Sequence, residues 1–252
     1  MHHFFVAPEL LAGSVSTVLL PDKLAHQIRD VLHLAVGEEL ILFDNSGDEI
    51  RCEVVKSNRS GVEVAILSRQ PRNRESSVRI ILCSSLLKTA RFEWVLEKGT
   101  ELGVAVFAPM LSRRSTAGLE EAGTAKIQRW QRIIQESAEQ CGRPRLPELW
   151  PIRALTQVLE DLPSGAIALM AWEEAQKGSL RQALQASNPP AGSSLTVVLL
   201  IGPEGGLTVE EVALAQRYGV EIVTLGRRIL RAETAAIAAV ANVLYELEAI
   251  EE

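Results

Sequence analysis

The stretch Val197–Ala241 constrains this chain more than any other. Within it two apolar strand-length runs are separated by one capped helix, an arrangement that cannot close as a hairpin. Thr196–Ile201 is continuously apolar and rich in Val, Leu and Ile, as a parallel strand covered on both faces requires. Gly202-Pro203-Glu204-Gly205-Gly206 then turns the chain; its glycines tolerate positive φ and Pro203 stiffens the bend. Thr208-x-x-Glu211 is a capping box, Leu207 is placed to staple onto Val212, and Glu210 and Glu211 favour the first-turn dipole. Gly219 ends that helix, and Val220–Leu225 reads as the second strand. Gly226–Arg231 is a loop with Arg227, Arg228 and Arg231. The last helix starts near Ala232, with Ile237, Val240, Leu244 and Leu247 on one face.

The same alternation runs upstream. Val78–Cys83 predicts a strand, Arg91–Leu102 a helix with Phe92, Val95, Leu96 and Leu102 inward, and Val104–Leu111 a further strand. Lys126–Cys141 predicts a helix burying Ile127, Trp130, Ile134 and Ala138, with Gly142 after it, and Ala166–Ala171 predicts a strand. Strand and helix in alternation imply a parallel sheet with covering helices, and ligands in such sheets bind at the carboxyl edge. Residues 1–70 differ. Ser14–Leu20, Glu39–Asp44, Glu49–Lys56 and Val62–Leu67 predict strands, and Asp22–Leu32 a helix with Leu24, Ile28, Val31 and Leu32 inward. This is the pattern of a small β-rich barrel module. Residues 71–77 read as a linker and 78–252 as one α/β domain; Ser187–Ser194 reads as a loop.

Charge narrows the partners. The net charge is −6, but residues 1–68 carry −5, residues 69–153 carry +6 and residues 154–252 carry −7. A local basic patch, not a basic whole, is what nucleic-acid binding needs; solvated helix faces are the plainer account of the same numbers. Cys52, Cys83 and Cys141 are scattered, so neither a disulfide framework nor a zinc site is indicated, and no metal-ligand cluster stands out. No apolar run approaches the ~20 residues of a membrane span. The start of the chain lacks a signal-peptide pattern, and the expected location is the cytoplasm.

The glycine turn by itself suits an ordinary αβ unit as well as a binding site. A phosphate site is the weaker reading, since there is no G-x-G-x-x-G or Gly-Lys-Ser/Thr and Glu204 would repel an anion. The turn and the arginine loop together say more. IGPEGG at 201–206 and LGRRILRAETA at 225–235 resemble the signature of the 16S rRNA (uracil-N3)-methyltransferase family, of the SPOUT class. The resemblance extends to Lys88, Glu101-Leu102-Gly103-Val104, Arg113-Arg114-Ser115 and Glu139-Gln140-Cys141-Gly142-Arg143. The family commonly has Arg where this chain has His33, and Gly where it has Thr89.

The resemblance implies an α/β SPOUT-type domain threaded as a trefoil knot, preceded by a PUA-like RNA-binding domain. It implies S-adenosylmethionine as cofactor, 16S rRNA in the small subunit as partner and substrate, and a homodimer through the C-terminal domain. It places the cofactor at Met170, Ala171, Leu200, Ile201, Gly202, Pro203, Gly205, Leu225, Gly226, Ile229 and Leu230. Backbone groups of the glycine turns would hold adenine and ribose, and the apolar residues would wall the base. Arg231 is expected to stabilise the anion formed when uracil N3 loses its proton, with Glu233 as proton acceptor or as the group orienting Arg231. Lys88, Arg113, Arg114, Arg143 and Arg145 are expected to contact RNA. Two other readings stay open: a SPOUT ribose 2′-O-methyltransferase, and a non-catalytic RNA-binding assembly factor.

Overall fold

The computed structural model describes residues 1–13, 16–72, 74–115, 123–175, 178–186 and 195–247. The expected Ser187–Ser194 loop and the first two residues of the expected strand Ser14–Leu20 lie outside them. The chain divides into two compact units. One comprises Met1–Glu75 with Ala138–Leu146, the other Ser76–Ser137 with Pro147–Glu252.

The first unit holds β1 (His2–Phe5), β2 (Thr17–Leu19), α1 (Asp22–His26), β3 (Glu39–Phe43), β4 (Asp48–Asn58) and β5 (Gly61–Pro71). Its sheet has the order β1-β3-β4-β5-β2, with β1 parallel to β3 and the other pairs antiparallel. The long β4–β5 ribbon outruns the expected strands at both ends. Its register shifts between Arg51 and Cys52 and between Val54 and Lys56, which is how a long ribbon bends. The expected helix Asp22–Leu32 stops being α-helical at His26 and continues as a π-turn, Gln27–Val31. The wider turn swings its last residue outward, so Val31, expected inward, is 61% exposed whereas Ile28 is fully buried. Ala138–Leu146 joins this unit through specific bonds: Phe5 N donates to Glu139 Oε1 (2.9 Å), and Leu146 N donates to Asn45 Oδ1 (2.7 Å).

The second unit holds β6 (Val78–Ser84), α2 (Thr89–Leu102), β7 (Val106–Phe107), β8 (Met110–Leu111) and α3 (Thr124–Cys141) as far as Ser137, the last turn of α3 belonging to the first unit. It continues with β9 (Glu148–Leu149), β10 (Arg153–Ala154), α4 (Leu155–Glu160), β11 (Ile167–Ala171) and α5 (Leu180–Ala186). It ends with β12 (Leu195–Ile201), α6 (Val209–Arg217), β13 (Glu221–Val223) and α7 (Ala232–Leu247). The expected strand Val104–Leu111 is two short strands that join different sheets. Pro109, which lacks an N–H, stands at the break.

The main sheet is parallel throughout, in the order β13-β11-β12-β6-β7-β9. Alternate residues of its central strands enter different cores, as a strand covered on both faces must. Ile80, Leu82, Val197, Leu199 and Ile201 pack with Phe92, Val95 and Leu96 of α2, Trp130 of α3, Leu180 of α5 and Val240 of α7. Ile81, Cys83, Val198 and Leu200 pack with Leu155, Val158 and Leu159 of α4 and with Val212 and Ala215 of α6. On α7 the buried face is broader than its large residues imply. Val240 and Leu244 are buried, but so are Ala236, Ala239 and Val243, while Ile237 and Leu247 are half-buried. Alanines there let α7 lie close on α2 and on strands β6 and β12.

Candidate active site

Two turns far apart in sequence meet because of register. Ala171, the last residue of β11, pairs with Ile201 at the end of β12 on one side and with Val223 at the end of β13 on the other. Strands lie about 4.8 Å apart, so the three chain exits fall within about 10 Å of one another. The chain passes from β12 to β13 by crossing β11, the kind of topological switch at which α/β sheets bind ligands. A cavity of about 410 Å³ opens there.

One wall is the glycine turn, where Gly202, Pro203, Glu204 and Gly206 line the cavity. Gly206 N donates to Pro203 O (2.9 Å), and Gly206 sits at φ +73°, the left-handed region. A Cβ on Gly206 would overlap the Glu173 carboxylate. Gly206→Ala is therefore expected to weaken ligand binding at this cavity and to destabilise the fold by roughly 1–2 kcal/mol, measurable by calorimetric titration and denaturant unfolding. Unaltered binding and stability would show that the turn relaxes freely.

The capping box after the turn is formed. Glu211 N donates to Thr208 Oγ1 (3.3 Å), and Thr208 N donates to Glu211 Oε2 (2.9 Å). Leu207 and Val212 share a buried cluster, as a hydrophobic staple requires. Glu211 does more than cap. Its Oε1 also accepts from Arg113 N (2.7 Å), docking the 112–115 turn onto the start of α6.

The opposite wall is Thr224–Ala232 with Ala235. Of the residues expected at the cofactor, Ala171, Ile201, Gly202, Pro203, Leu225, Gly226, Ile229 and Leu230 line the cavity. Met170 and Leu200 do not. Each is one residue short of its strand end, so the alternation of side chains turns it into the core on the other face, where both are 0% exposed. Gly205 also faces elsewhere: a Cβ there would press on the Arg114 side chain. Ile229, expected as a wall for a base, touches the cavity but is 82% exposed.

Charge around the cavity is mixed. Arg91, Arg227, Arg228 and Arg231 line it, as do Glu173 and Glu204. Glu233 is not among the lining residues. Its partner is Arg91 (Nε to Oε1, 3.7 Å), not the expected Arg231, and its Oε2 is buried without a hydrogen-bond partner among the described residues. Arg231 has no ion pair among the described residues, which leaves its guanidinium available to a ligand.

Arg91, Glu173 and Thr224 are lining residues that the sequence pattern does not single out, whereas Trp172 closes the Met170-Ala171-Trp172 run that the pattern brings to this edge. Glu173 follows Trp172 past the end of a strand of the parallel sheet, and that position is the available signal for it. Arg91 carries no signal beyond standing at the start of a helix.

The expected RNA contacts separate into kinds. Lys88 is exposed at the same edge, with its backbone N–H 3.5 Å from Glu204 Oε1. Arg113 is exposed and stands 3.6 Å from Glu210. Arg114 donates to Gly205 O (3.0 Å), which ties it to the glycine turn. Arg143 is a correction. It is buried, with Nη2 2.6 Å and Nε 3.2 Å from the two oxygens of Glu75, so it holds the first unit together and is not offered to a phosphate. Arg145 is exposed and lies across Gly47.

Burial pushes the Cys52 and Cys83 thiols up to about 12, so neither is a nucleophile at neutral pH. Among the described residues no cluster of three or more His, Cys, Asp or Glu is placed to hold a metal.

Comparison with known proteins identifies the family. Residues 74–244 match the RNA methyltransferase domain model, and residues 20–67 match the RNA methyltransferase PUA domain model. Ribosomal RNA small subunit methyltransferase E of Bacillus subtilis is 34% identical over 227 residues, 88% of each chain. The crystal structure of ribosomal RNA small subunit methyltransferase E from Neisseria gonorrhoeae, bound to S-adenosyl methionine, is similar with a TM-score of 0.85. It is 31% identical, and the match covers 97% of both chains. A putative methyltransferase from Legionella pneumophila, in complex with the same cofactor, is similar with a TM-score of 0.79, 29% identity and 97% coverage of both chains.

Proposed function

The chain belongs to the ribosomal RNA small subunit methyltransferase E family, and from that premise we propose that it methylates N3 of a uridine in 16S rRNA, using S-adenosylmethionine. The observation that carries the reading is the convergence of the 201–206 and 224–231 turns on one cavity. The cavity fits the cofactor on this chain's own terms. About 410 Å³ suits a nucleoside-sized ligand, and the walls offer glycine backbone on one side and Leu225 and Leu230 on the other.

The bound cofactor supplies an electrophilic methyl group, and the chain supplies the pocket and the charge. Uracil N3 carries an imide proton, and its loss spreads negative charge over O2 and O4. Arg231, which lines the cavity and has no ion-pair partner among the described residues, is the group proposed to stabilise that charge through its fork of donors. Glu233 stands behind it at the start of α7, paired with Arg91 and outside the cavity lining, so the N3 proton leaves to water. N3 also takes part in Watson–Crick pairing, so the target base must be unpaired or turned out of its stack. Lys88 and Arg113, both exposed, are proposed to meet the RNA backbone.

Three finer features belong to the same reading. The C-terminal chain is proposed to thread as a trefoil knot. The protein is proposed to work as a homodimer through its C-terminal domain, in the cytoplasm. Helices α2 and α7 pack together and expose Trp94 and Tyr245, which supports an interface there. No helix among the described residues is long and apolar enough to cross a membrane.

The test is nucleoside mass analysis of small-subunit RNA after incubation with the protein and labelled S-adenosylmethionine. The expected product is 3-methyluridine. A ribose-methylated nucleoside, or no labelled product, would overturn the assignment.

A further inference from the structure

Arg91 links the two halves of the cavity. It stands in the first turn of α2, outside both C-terminal motifs. Its Nη1 lies 3.3 Å from Glu204 Oε1, in the glycine turn after β12. Its Nε lies 3.7 Å from Glu233 Oε1, in the first turn of α7. Lys88 N–H, one turn earlier, also reaches Glu204 Oε1 at 3.5 Å. The start of α2 therefore holds a carboxylate from each of the two segments that bound the cavity. Helix α2 is a firm anchor, since Phe92, Val95 and Leu96 are all buried.

We propose that Arg91 is a positioning residue: acting through Glu204 and Glu233, it sets the spacing of the two turns and so pre-forms the cavity for S-adenosylmethionine. The proposal rests on the functional reading above for the identity of the ligand. The Arg91 side chain is 40% exposed, and pairs this open to water add little to global stability. Their effect lies in where the two loops stand, and a ligand that need not order its own site binds more tightly.

The test compares the unaltered protein with Arg91→Ala, Arg91→Lys, Glu233→Gln and the double variant Arg91→Ala/Glu233→Gln. Titration calorimetry with S-adenosylmethionine, steady-state methyl transfer and thermal unfolding are measured on each full chain. Arg91→Ala is expected to weaken cofactor binding about tenfold and to raise KM for the cofactor. The kcat at saturating cofactor is expected to stay within about twofold, with little change in Tm. Arg91→Lys, which keeps the charge, is expected to recover most of the affinity. Adding Glu233→Gln to Arg91→Ala is expected to cost little more, because both remove the same link.

Wild-type affinity in Arg91→Ala would overturn the proposal. So would a fall in kcat at saturating cofactor with KM unchanged, or losses from the two substitutions that add in full. Absence of cofactor binding by the unaltered protein would instead overturn the functional reading, and the positioning role with it.

Discussion

Arg231→Ala is expected to lower kcat for methyl transfer by about 10²–10³-fold, the usual cost of removing one donor aimed at a developing oxyanion. The guanidinium lines the cavity and has no ion-pair partner among the described residues, so its deletion strands no carboxylate. The loss should therefore appear in the chemical step. Affinity for S-adenosylmethionine, read by calorimetry, is expected to change little, and single-turnover rates on small-subunit particles are expected to carry the whole effect. Arg231→Lys should recover only part of the rate, since an ammonium lacks the flat fork of donors that spans two carbonyl oxygens. Turnover equal to the unaltered protein would remove Arg231 from the reaction. A loss confined to cofactor affinity would make it a binding residue instead.

The second large effect is on stability. Arg143→Ala is expected to destabilise the protein by about 3 kcal/mol, because it leaves the Glu75 carboxylate without its buried partner. The Arg143 side chain is 7% exposed and that of Glu75 is 25% exposed, so water screens this pair far less than the rim pairs of Arg91. Stability measured by urea unfolding should fall, while RNA affinity per folded molecule should hold. An RNA-contact residue would behave in the opposite way, with binding lost, the salt dependence flattened and stability kept. Unfolding that matches the unaltered protein, together with weaker RNA binding, would restore the phosphate-contact role expected from the motif.

These two arginines mark how far local pattern reaches. Arg231 follows a strand, a glycine, two arginines and an apolar pair, a local run legible in the sequence, and the strand order then carries it to the cavity. Arg143 sits in a basic run, Arg143-Pro144-Arg145, that reads as an exposed patch. Only its pairing with Glu75, 68 positions away, reveals a buried side chain. Met170 and Leu200 make the same point within a strand. The strand was legible, but which of two neighbouring residues faces the cavity depends on which helix covers which face. Val31 shows the limit inside a helix, where one wider turn moves a side chain from the core to solvent.

What the sequence determined by itself is whatever depends on near neighbours along the chain. The capping box at Thr208, the φ-positive glycines that end helices at Gly103 and Gly219, and the period-two and period-3.6 apolar patterns all belong here. These are interactions between residues a few positions apart, so the chain carries them wherever it goes. Tertiary structure decided what depends on distant partners. The register of β11 between β12 and β13 brings two turns to one cavity, and α2 sets Arg91 between Glu204 and Glu233. No pattern of spacing encodes those contacts, because each is fixed by the packing of surfaces whose partners lie many tens of residues away.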